Sequence, residues 1–328
     1  MGLPLSDARA LAAAALRRNG ADPAAAQSVA RALVQAEADG FKGHGLSRLP
    51  SYVAQLRTGK VRGDAVPQAS LPRPGALLVD AGLGFAFPAL DLAVERLPAL
   101  ARRQGIACAG IARSHHCGAA GYFVETLAQA GLVAMLFANT PAAMAPWGGR
   151  RAVFGTNPIA FACPRPDAPP MVVDLALSTV ARGNIANAAK KGEKIPPGWA
   201  FDAEGRPTTD PAMALGGTMA PLGDAKGIAL ALMVELLAAG MIGANYAAEA
   251  SSFLDDRGGP PGTGQLLIAL DPSAFSENAL ARFGQLAAMV EDQDGARLPG
   301  SRRLAARAAA NRDGLKVDEA LLRDIAAL

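Results

Sequence analysis

The turn Gly82-Leu83-Gly84 constrains the fold of this 328-residue chain more than any other feature. It follows the apolar run Ala76–Asp80, typical of a buried strand, and precedes a helix-favouring segment that extends to about Arg103. Rossmann units begin with such a strand, glycine-rich turn and helix, but Phe87 stands where their third glycine is expected. No clear acidic residue ends a second strand roughly 20 residues later. The sequence therefore argues against a Rossmann site at this turn.

The residues before this turn favour helices. Ser6 is a candidate N-cap for a first helix that ends near Asn19-Gly20. Asp22-Pro23 supplies an N-cap and a first-turn proline for a second helix, which runs to Asp39-Gly40. A third helical stretch covers about 46–57. Together these segments predict a small helical lobe.

The rest of the chain alternates between short apolar runs and helical segments. The Pro- and Gly-rich stretch 61–75 is interpreted as an extended connection, and 195–222 as an ordered loop over a surface. Strands are predicted at 76–80, 106–111, 132–138, 152–153, 159–162, 171–175 and 266–270, and helices at 119–130, from about 226, at 277–291 and at 318–327. This pattern predicts a protein of the α/β (α+β) class.

Composition excludes several classes of protein. Hydrophobic residues make up 51% and charged residues 19%, as in globular proteins with a core. The net charge of +3 comes from scattered arginines, and aromatic residues are only 5%, which argues against nucleic-acid binding. The three cysteines lack Cys-x-x-Cys spacing, so neither a disulfide framework nor a metal site is expected. With no export signal or membrane span recognised, we expect a cytoplasmic protein.

The segment Gly43-His44-Gly45-Leu46-Ser47-Arg48 is the strongest candidate for chemistry. It places one of three histidines four residues before an arginine, so both side chains could face the same way on a helix. An arginine can hold a carboxylate by two charge-assisted hydrogen bonds, and an imidazole moves protons near neutral pH. The pair therefore suits a small carboxylate substrate with a neighbouring carbonyl or hydroxyl. The alternative is a helix-initiating loop with a surface arginine.

Three further segments offer polar groups at turns. His116 follows a predicted strand, where it could line a cleft or cap the turn. Thr156 and Asn157 stand before Pro158 in a turn that could bind a carboxylate or carbonyl, or could simply be a turn. The segment 223–227, with Lys226, precedes the most apolar helix and could bind an anion at the helix N-terminus.

In their order and spacing, these motifs resemble the type-2 malate/L-lactate dehydrogenase family. That family also includes ureidoglycolate, sulfolactate and diketogulonate oxidoreductases, and reductases of cyclic imino acids. Each motif alone is weak, but the combination is specific and covers nearly the whole chain. The segments that carry the resemblance are Gly43 to Arg48, Ser114-His115-His116-Cys117-Gly118, Pro146-Trp147-Gly148-Gly149, Gly155-Thr156-Asn157-Pro158, Asp174, Gly223-Asp224-Ala225-Lys226-Gly227 and Leu298-Pro299-Gly300.

The resemblance implies a non-Rossmann fold with a mostly antiparallel sheet in a cofactor-binding lobe and a separate helical lobe. Residues 1–75 would form the helical lobe with the catalytic loop, and 76–270 the lobe that binds the nicotinamide cofactor. Residues 271–328 would pack back on the helical lobe. The resemblance also implies a homodimer with the site near the subunit interface. The composition and the lack of a membrane span predict no membrane or nucleic-acid partner.

The resemblance further implies roles for individual residues. His44 and Arg48 would be catalytic, His116, Thr156 and Asn157 would bind substrate, and the cofactor would contact Asp174, Ser178, Thr179, Ala225, Lys226, Gly300, Ser301 and Arg302. Because Ser301, Arg302 and Arg303 suit the 2′-phosphate of NADP, NADP is favoured and NAD remains possible.

The implied activity is reversible hydride transfer between the nicotinamide and C2 of a small 2-hydroxy or 2-oxo acid of the malate, lactate or 3-sulfolactate type. Gly43 replaces the serine that many family members carry, and the Gly-His-Gly-Leu-Ser-Arg form resembles sulfolactate dehydrogenases. The extra space would suit a bulkier, doubly anionic substrate. The alternative enzyme activity is reduction of Δ1-piperideine-2-carboxylate or Δ1-pyrroline-2-carboxylate. From a different class, a non-catalytic binder of anions or nucleic acid is the remaining alternative.

Overall fold

The alanine-rich beginning of the chain forms three helices in the computed structural model, which describes residues 2–328. They are α1 (Leu5–Arg18), α2 (Pro23–Ala38) and α3 (Leu49–Arg57). The Asp22 carboxylate accepts hydrogen bonds from the backbone N–H groups of Ala24 and Ala25, which confirms the predicted cap of α2. The predicted Ser6 cap is wrong. Helix α1 begins at Leu5 after Pro4, and the Ser6 hydroxyl donates to Asp7 instead.

A seven-stranded sheet follows, in the order β1-β2-β3-β10-β4-β5-β6. Only the β2–β3 pair is parallel, so the predicted mostly antiparallel, non-Rossmann α/β class is confirmed. A small second sheet has the order β8-β7-β9. The strands are β1 (Gln68–Arg73), β2 (Ala76–Asp80), β3 (Ile106–Ser114), β4 (Val133–Ala138), β5 (Ile159–Arg165), β6 (Ala168–Leu175), β7 (Ala200–Phe201), β8 (Pro207–Thr208), β9 (Thr218–Met219) and β10 (Thr263–Leu270).

The remaining helices surround this sheet. They are α4 (Ala86–Gln104), α5 (Gly121–Gln129), α6 (Arg182–Lys191), α7 (Pro211–Gly216), α8 (Ala225–Glu235), α9 (Ala279–Glu291), α10 (Ser301–Asp313) and α11 (Glu319–Ala327), and a π-helical turn over Leu236–Gly240 continues α8. Helices α4 and α5 cover one face of the sheet. Helix α10 contacts α2, and α11 contacts α1 and α3, whereas α9 packs on β5. None of the helices within residues 2–328 is both long and apolar enough to span a bilayer.

Three further local predictions are wrong. The stretch 61–75 contains β1, whose six residues are all exposed, so no apolar alternation marks it as a strand. Residues 152–153 form no strand, and the nearest pairing is a bridge between Met144 and Phe154. The stretch 195–222, predicted as an ordered loop, contains the three strands β7, β8 and β9 of the small second sheet and helix α7.

A buried cluster of charges joins α10 to the rest of the protein. Arg303 donates to Glu125 on α5 at 2.6 and 2.9 Å and to Asp39 after α2 at 3.1 Å. Arg307, one turn later, donates to the same two carboxylates. Burial raises the pKa of Glu125, but the hydrogen bonds from the two arginines outweigh it and hold the pKa below its usual value. The cluster therefore fixes α2, α5 and α10 to one another.

Candidate active site

The loop that carries His44 is held against the end of α2. It consists of two short 3₁₀ turns, Lys42–His44 and Leu46–Arg48. The Glu37 carboxylate accepts the backbone N–H of Leu46 at 3.0 Å. A Cβ at Gly45 would overlap this carboxylate, so glycine allows the loop to pass close to α2.

The loop and the sheet bring four side chains together. The rings of His44 and His116 are stacked, with centroids 5.5 Å apart and planes at 22°. Arg48 Nη2 lies 3.5 Å from His116 Nε2, and Tyr52 Oη lies 2.6 Å from His116 Nδ1. His44 and Arg48 are half-buried, while His116 and Tyr52 are buried. The helical lobe and the end of β3 thus form one cluster of proton donors and acceptors.

Tyr52 is the member of this cluster that sequence reasoning missed. It follows Arg48 by four residues and His44 by eight, so a helix that starts in the loop would place all three on neighbouring turns. That spacing was the available signal. A tyrosine with this spacing is also typical of core packing, and its ring does pack against Phe85 and Phe87.

The segment around Phe253 covers the histidines. Its ring centroid lies 5.3 Å from that of His116. Gln55 Nε2 donates to the Phe253 carbonyl at 3.2 Å, and the buried Lys60 ammonium donates to the backbone carbonyls of Asp255 and Arg257 at 3.0 and 2.6 Å. Polar groups on and after α3 therefore hold this cover in place.

Burial sets the protonation of the cluster. Burial, and then the positive charge of Arg48, lower the pKa of His44 to about 4. The same causes lower the pKa of His116 well below its usual value. Burial raises the pKa of Tyr52 above its usual value, so the phenol stays protonated. At neutral pH, His44 is a neutral imidazole able to accept a proton.

His115 has a different environment from His116. Its ring is buried among Tyr52, Phe85 and Phe253. Within residues 2–328, neither ring nitrogen has a hydrogen-bond partner. Burial is the main cause that lowers its pKa to about 3. His115 therefore packs behind the cluster.

The two residues predicted from the Gly155–Pro158 turn have different surroundings. Thr156 is half-buried, and its hydroxyl lies 3.3 Å from that of Thr140. Asn157 is fully buried, and its amide donates to Glu235 at 2.7 Å and to the Ala231 carbonyl at 3.0 Å. Its side-chain oxygen accepts the Thr140 N–H at 3.1 Å. Asn157 therefore anchors the turn to α8, and any contact with substrate stays a prediction.

Several residues predicted to bind cofactor lie along the edge strand β6 and its continuation. A Cβ at Gly300 would come within 3.2 Å of the Val172 carbonyl on β6. Asp174 accepts the Gly121 N–H at 2.7 Å, and burial raises its pKa to about 6. Thr179 donates to the Pro221 carbonyl at 3.1 Å, just before α8. Together these contacts connect the start of α10 to the approach to α8.

The polar groups of this region differ in accessibility. The Ser178 hydroxyl is buried and donates to the Val180 carbonyl, and the Ser301 hydroxyl donates to the Leu298 carbonyl. Ala225 and Lys226 are exposed at the N-terminus of α8, where the Asp224 side chain makes no capping bond.

The prediction that Arg303 contributes to a 2′-phosphate site requires correction. Its guanidinium is buried in the cluster with Asp39 and Glu125, whereas Arg302 is exposed. Ser301 and Arg302 are therefore what remains at the start of α10 for such a phosphate.

Comparison with known proteins gives consistent results. The sequence profile of malate/L-lactate dehydrogenase matches residues 3–326. A (2R)-3-sulfolactate dehydrogenase (NADP(+)) of Chromohalobacter salexigens is 51% identical over 326 residues, covering 99% of this chain and 97% of the relative. A Δ1-pyrroline-2-carboxylate/Δ1-piperideine-2-carboxylate reductase of Pseudomonas aeruginosa is 45% identical over 330 residues, covering 99% of this chain and 98% of the relative.

The fold also matches a solved structure. The crystal structure of Δ1-piperideine-2-carboxylate reductase from Pseudomonas syringae pathovar tomato superimposes with a TM-score of 0.94 and 36% sequence identity. The match covers 100% of this chain and 99% of that one.

Proposed function

Because this chain belongs to the malate/L-lactate dehydrogenase family and is an oxidoreductase, we propose that it transfers hydride between NADP and C2 of a small, doubly anionic 2-oxo or 2-hydroxy acid. The first candidate pair is sulfopyruvate and 3-sulfolactate. The observation that carries the proposal is the convergence of His44, Arg48 and His116 in one half-buried cluster. An arginine, a titratable imidazole and a second polar ring meet the needs of a carboxylate substrate whose neighbouring oxygen gains or loses a proton.

Arg48 and His44 have different roles in this reaction. Arg48 holds the substrate carboxylate, since it is half-buried beside His116 and pairs with no carboxylate within the described residues. In oxidation, neutral His44 accepts the hydroxyl proton. In reduction, His44 first takes up a proton from solvent and then gives it to the substrate oxygen; burial and then the Arg48 charge lower its pKa, and a bound anion favours the uptake by offsetting the Arg48 charge. When bound, the nicotinamide cofactor supplies or accepts the hydride.

Two helix N-termini suit an NADP cofactor. The first-turn amides of α8, with exposed Lys226, favour a pyrophosphate. At the start of α10, Ser301 and exposed Arg302 suit a 2′-phosphate. The name of the Chromohalobacter salexigens relative specifies NADP(+), which supports the preference for NADP over NAD.

Gly43 supports the doubly anionic substrate. It is exposed, and a Cβ built on it would meet no atom within 4 Å, so the space beside His44 is open. The same relative acts on (2R)-3-sulfolactate by its name, which agrees with this use of the space. The names of the two Pseudomonas reductases favour a second candidate, reduction of a cyclic imine carboxylate, because that reaction also needs a carboxylate clamp and a proton.

A substrate panel tests the proposal. We would measure oxidation of NADPH and of NADH with sulfopyruvate, oxaloacetate, pyruvate, Δ1-piperideine-2-carboxylate and Δ1-pyrroline-2-carboxylate. We expect the highest kcat/KM with sulfopyruvate and NADPH. The variant Gly43→Ser, for which the structure leaves room, should lower kcat/KM for sulfopyruvate more than for pyruvate. Activity confined to the imines would replace the first candidate by the second.

We also propose a homodimer. The face of the sheet opposite α4 and α5 leaves apolar side chains uncovered, with Leu78 45% and Leu175 39% exposed. Helix α8 and the π-helical turn likewise expose Leu230, Met233 and Leu236. Exposed apolar side chains such as these suit an interface with a second copy. Light scattering at micromolar protein concentration should give twice the mass of one chain, and the mass of a single chain would reject the dimer.

A cytoplasmic location is part of the proposal. The three cysteines are free, as is usual for proteins of a reducing compartment.

A further inference from the structure

We propose that Tyr52 is a positioning residue that fixes the tautomer of His116, so that His116 Nε2–H and the Arg48 guanidinium act as two donors toward one anionic oxygen of the substrate. The inference rests on the proposed function only for the identity of that anion. The tautomer itself follows from the hydrogen-bond partners of three side chains.

The first step is the position of the protons. His116 is neutral because its pKa is lowered, so its ring carries one proton, and the Tyr52 phenol carries another. Within residues 2–328, the 2.6 Å contact with His116 Nδ1 is the one side-chain hydrogen bond of Tyr52. If Nδ1 were protonated, the buried phenol proton would have no acceptor, which is costly. Tyr52 therefore donates to Nδ1, and the ring proton resides on Nε2.

The second step is the consequence for Arg48. Protonated Nε2 lies 3.5 Å from Arg48 Nη2, and neither group can accept a hydrogen bond from the other. Arg48 Nε is also buried without a partner in the part of the chain that the structure describes. The N–H groups of His116 and Arg48 thus lie close together without bonding to each other. An acceptor placed between them could bond to both. A carboxylate or sulfonate oxygen is such an acceptor.

The third step is what the phenol prevents. Without it, the proton can move to Nδ1, and the Nε2 lone pair can accept from Arg48. Arg48 would then bond to His116, and the ring would no longer donate to the substrate. Tyr52→Phe should therefore weaken binding of the anion by roughly tenfold, since a hydrogen bond to a charged group is removed. The phenylalanine ring keeps the packing against Phe85 and Phe87.

The matched control is His115→Phe. This residue neighbours His116 in sequence and contacts Tyr52, yet its ring nitrogens bond to nothing within residues 2–328. The His115→Phe variant should retain the His116 tautomer and the KM of the wild type. Thermal unfolding of both variants establishes that each is folded.

The experiment reads the tautomer directly. In protein labelled with ¹⁵N-histidine, the His116 signals at pH 7.5 should show a protonated Nε2 in the wild type and in His115→Phe. In Tyr52→Phe they should shift toward the Nδ1–H form. A wild-type His116 protonated at Nδ1 would overturn the proposal, and so would an unchanged tautomer in folded Tyr52→Phe.

Binding of malonate, used as the probe anion, is followed by the same signals. We expect the wild-type Nε2 signal to shift on titration, and the apparent Kd to rise about tenfold in Tyr52→Phe. Nε2 signals that do not respond to malonate would overturn the anion site. Both measurements need no turnover, so a wild type inactive on every panel substrate would reject the proposed function while leaving this inference standing.

With an active substrate, KM should rise in Tyr52→Phe with a smaller change in kcat. An unchanged KM would overturn the positioning role.

Discussion

Two clusters of side chains are built around arginines, and they differ in how many of the arginine N–H donors are used. In the α10 cluster, Arg303 and Arg307 make seven hydrogen bonds to Asp39 and Glu125. In the other cluster, the Arg48 guanidinium faces an imidazole nitrogen at 3.5 Å, and its Nε has no partner within residues 2–328.

The difference separates structure from function. In the α10 cluster, both terminal nitrogens of Arg303 and of Arg307 already donate to carboxylates, so these arginines hold helices together. A guanidinium with unused donors keeps part of its binding capacity for a molecule that arrives later. Sequence alone assigned Arg303 to a cofactor site and Arg48 to a substrate site. The supply of carboxylate acceptors, which only the fold reveals, corrects the first assignment and supports the second.

Removing the His44 imidazole should produce the largest effect on activity. We expect His44→Ala to lower turnover by roughly 10²–10⁴-fold, because the proton donor and acceptor for the substrate oxygen is lost. The measurement is steady-state kcat with the best substrate of the panel. Unfolding by urea should show stability close to the wild type, since His44 makes no side-chain hydrogen bond within the described residues. Near-normal turnover would remove His44 from its role.

Replacing Arg303 or Arg48 by methionine tests the comparison of the two clusters directly. Arg303→Met leaves Asp39 and Glu125 buried with fewer partners and should lower the free energy of unfolding by about 3–5 kcal/mol. Its KM should stay near that of the wild type. Arg48→Met should do the opposite: lose substrate binding while changing stability by about 1 kcal/mol or less, since no ion pair is broken. Equal destabilisation by both variants would refute the distinction.

Local sequence signals predicted much of the fold. Asp22-Pro23 fixed the start of α2 by capping, and apolar runs located β2 and β10. The position of β10 between β3 and β4 could not be predicted, because strand pairing depends on contacts far apart in sequence. Strand β1 was missed because all of its residues are exposed.

The candidate site was less accessible to sequence reasoning. His44 and Arg48 share a local segment, but the stacking of His44 on His116 joins residues 72 positions apart, and family resemblance alone brought them together. Arg303 and Arg307 lie one helical turn apart, a spacing that could have indicated a shared buried face. Their partners Asp39 and Glu125 could not be identified without the fold, because both lie more than 170 positions away in the chain.

The smallest expected effect concerns His115, which has unused nitrogens but is enclosed by aromatic rings. Its folded pKa of about 3 lies below the ordinary 6.5, so the unfolded chain binds more protons between these values. Its contribution to stability is therefore fully present above pH 6.5 and is lost as the pH falls toward 3. His115→Phe should keep wild-type activity and reduce the loss of stability between pH 6.5 and pH 5 by on the order of 1 kcal/mol.

Urea unfolding of the wild type and His115→Phe at pH 6.5 and pH 5 measures this difference. At the higher pH the two stabilities should be similar, because a phenylalanine ring suits the surroundings of Tyr52, Phe85 and Phe253 and removes two unsatisfied nitrogens. Loss of activity in the folded variant would show that His115 takes part in the reaction. The comparison of the two arginine clusters assumes that an unused donor is functional only where a ligand can reach it. A loss of activity in His115→Phe would contradict that assumption, because the His115 ring is enclosed.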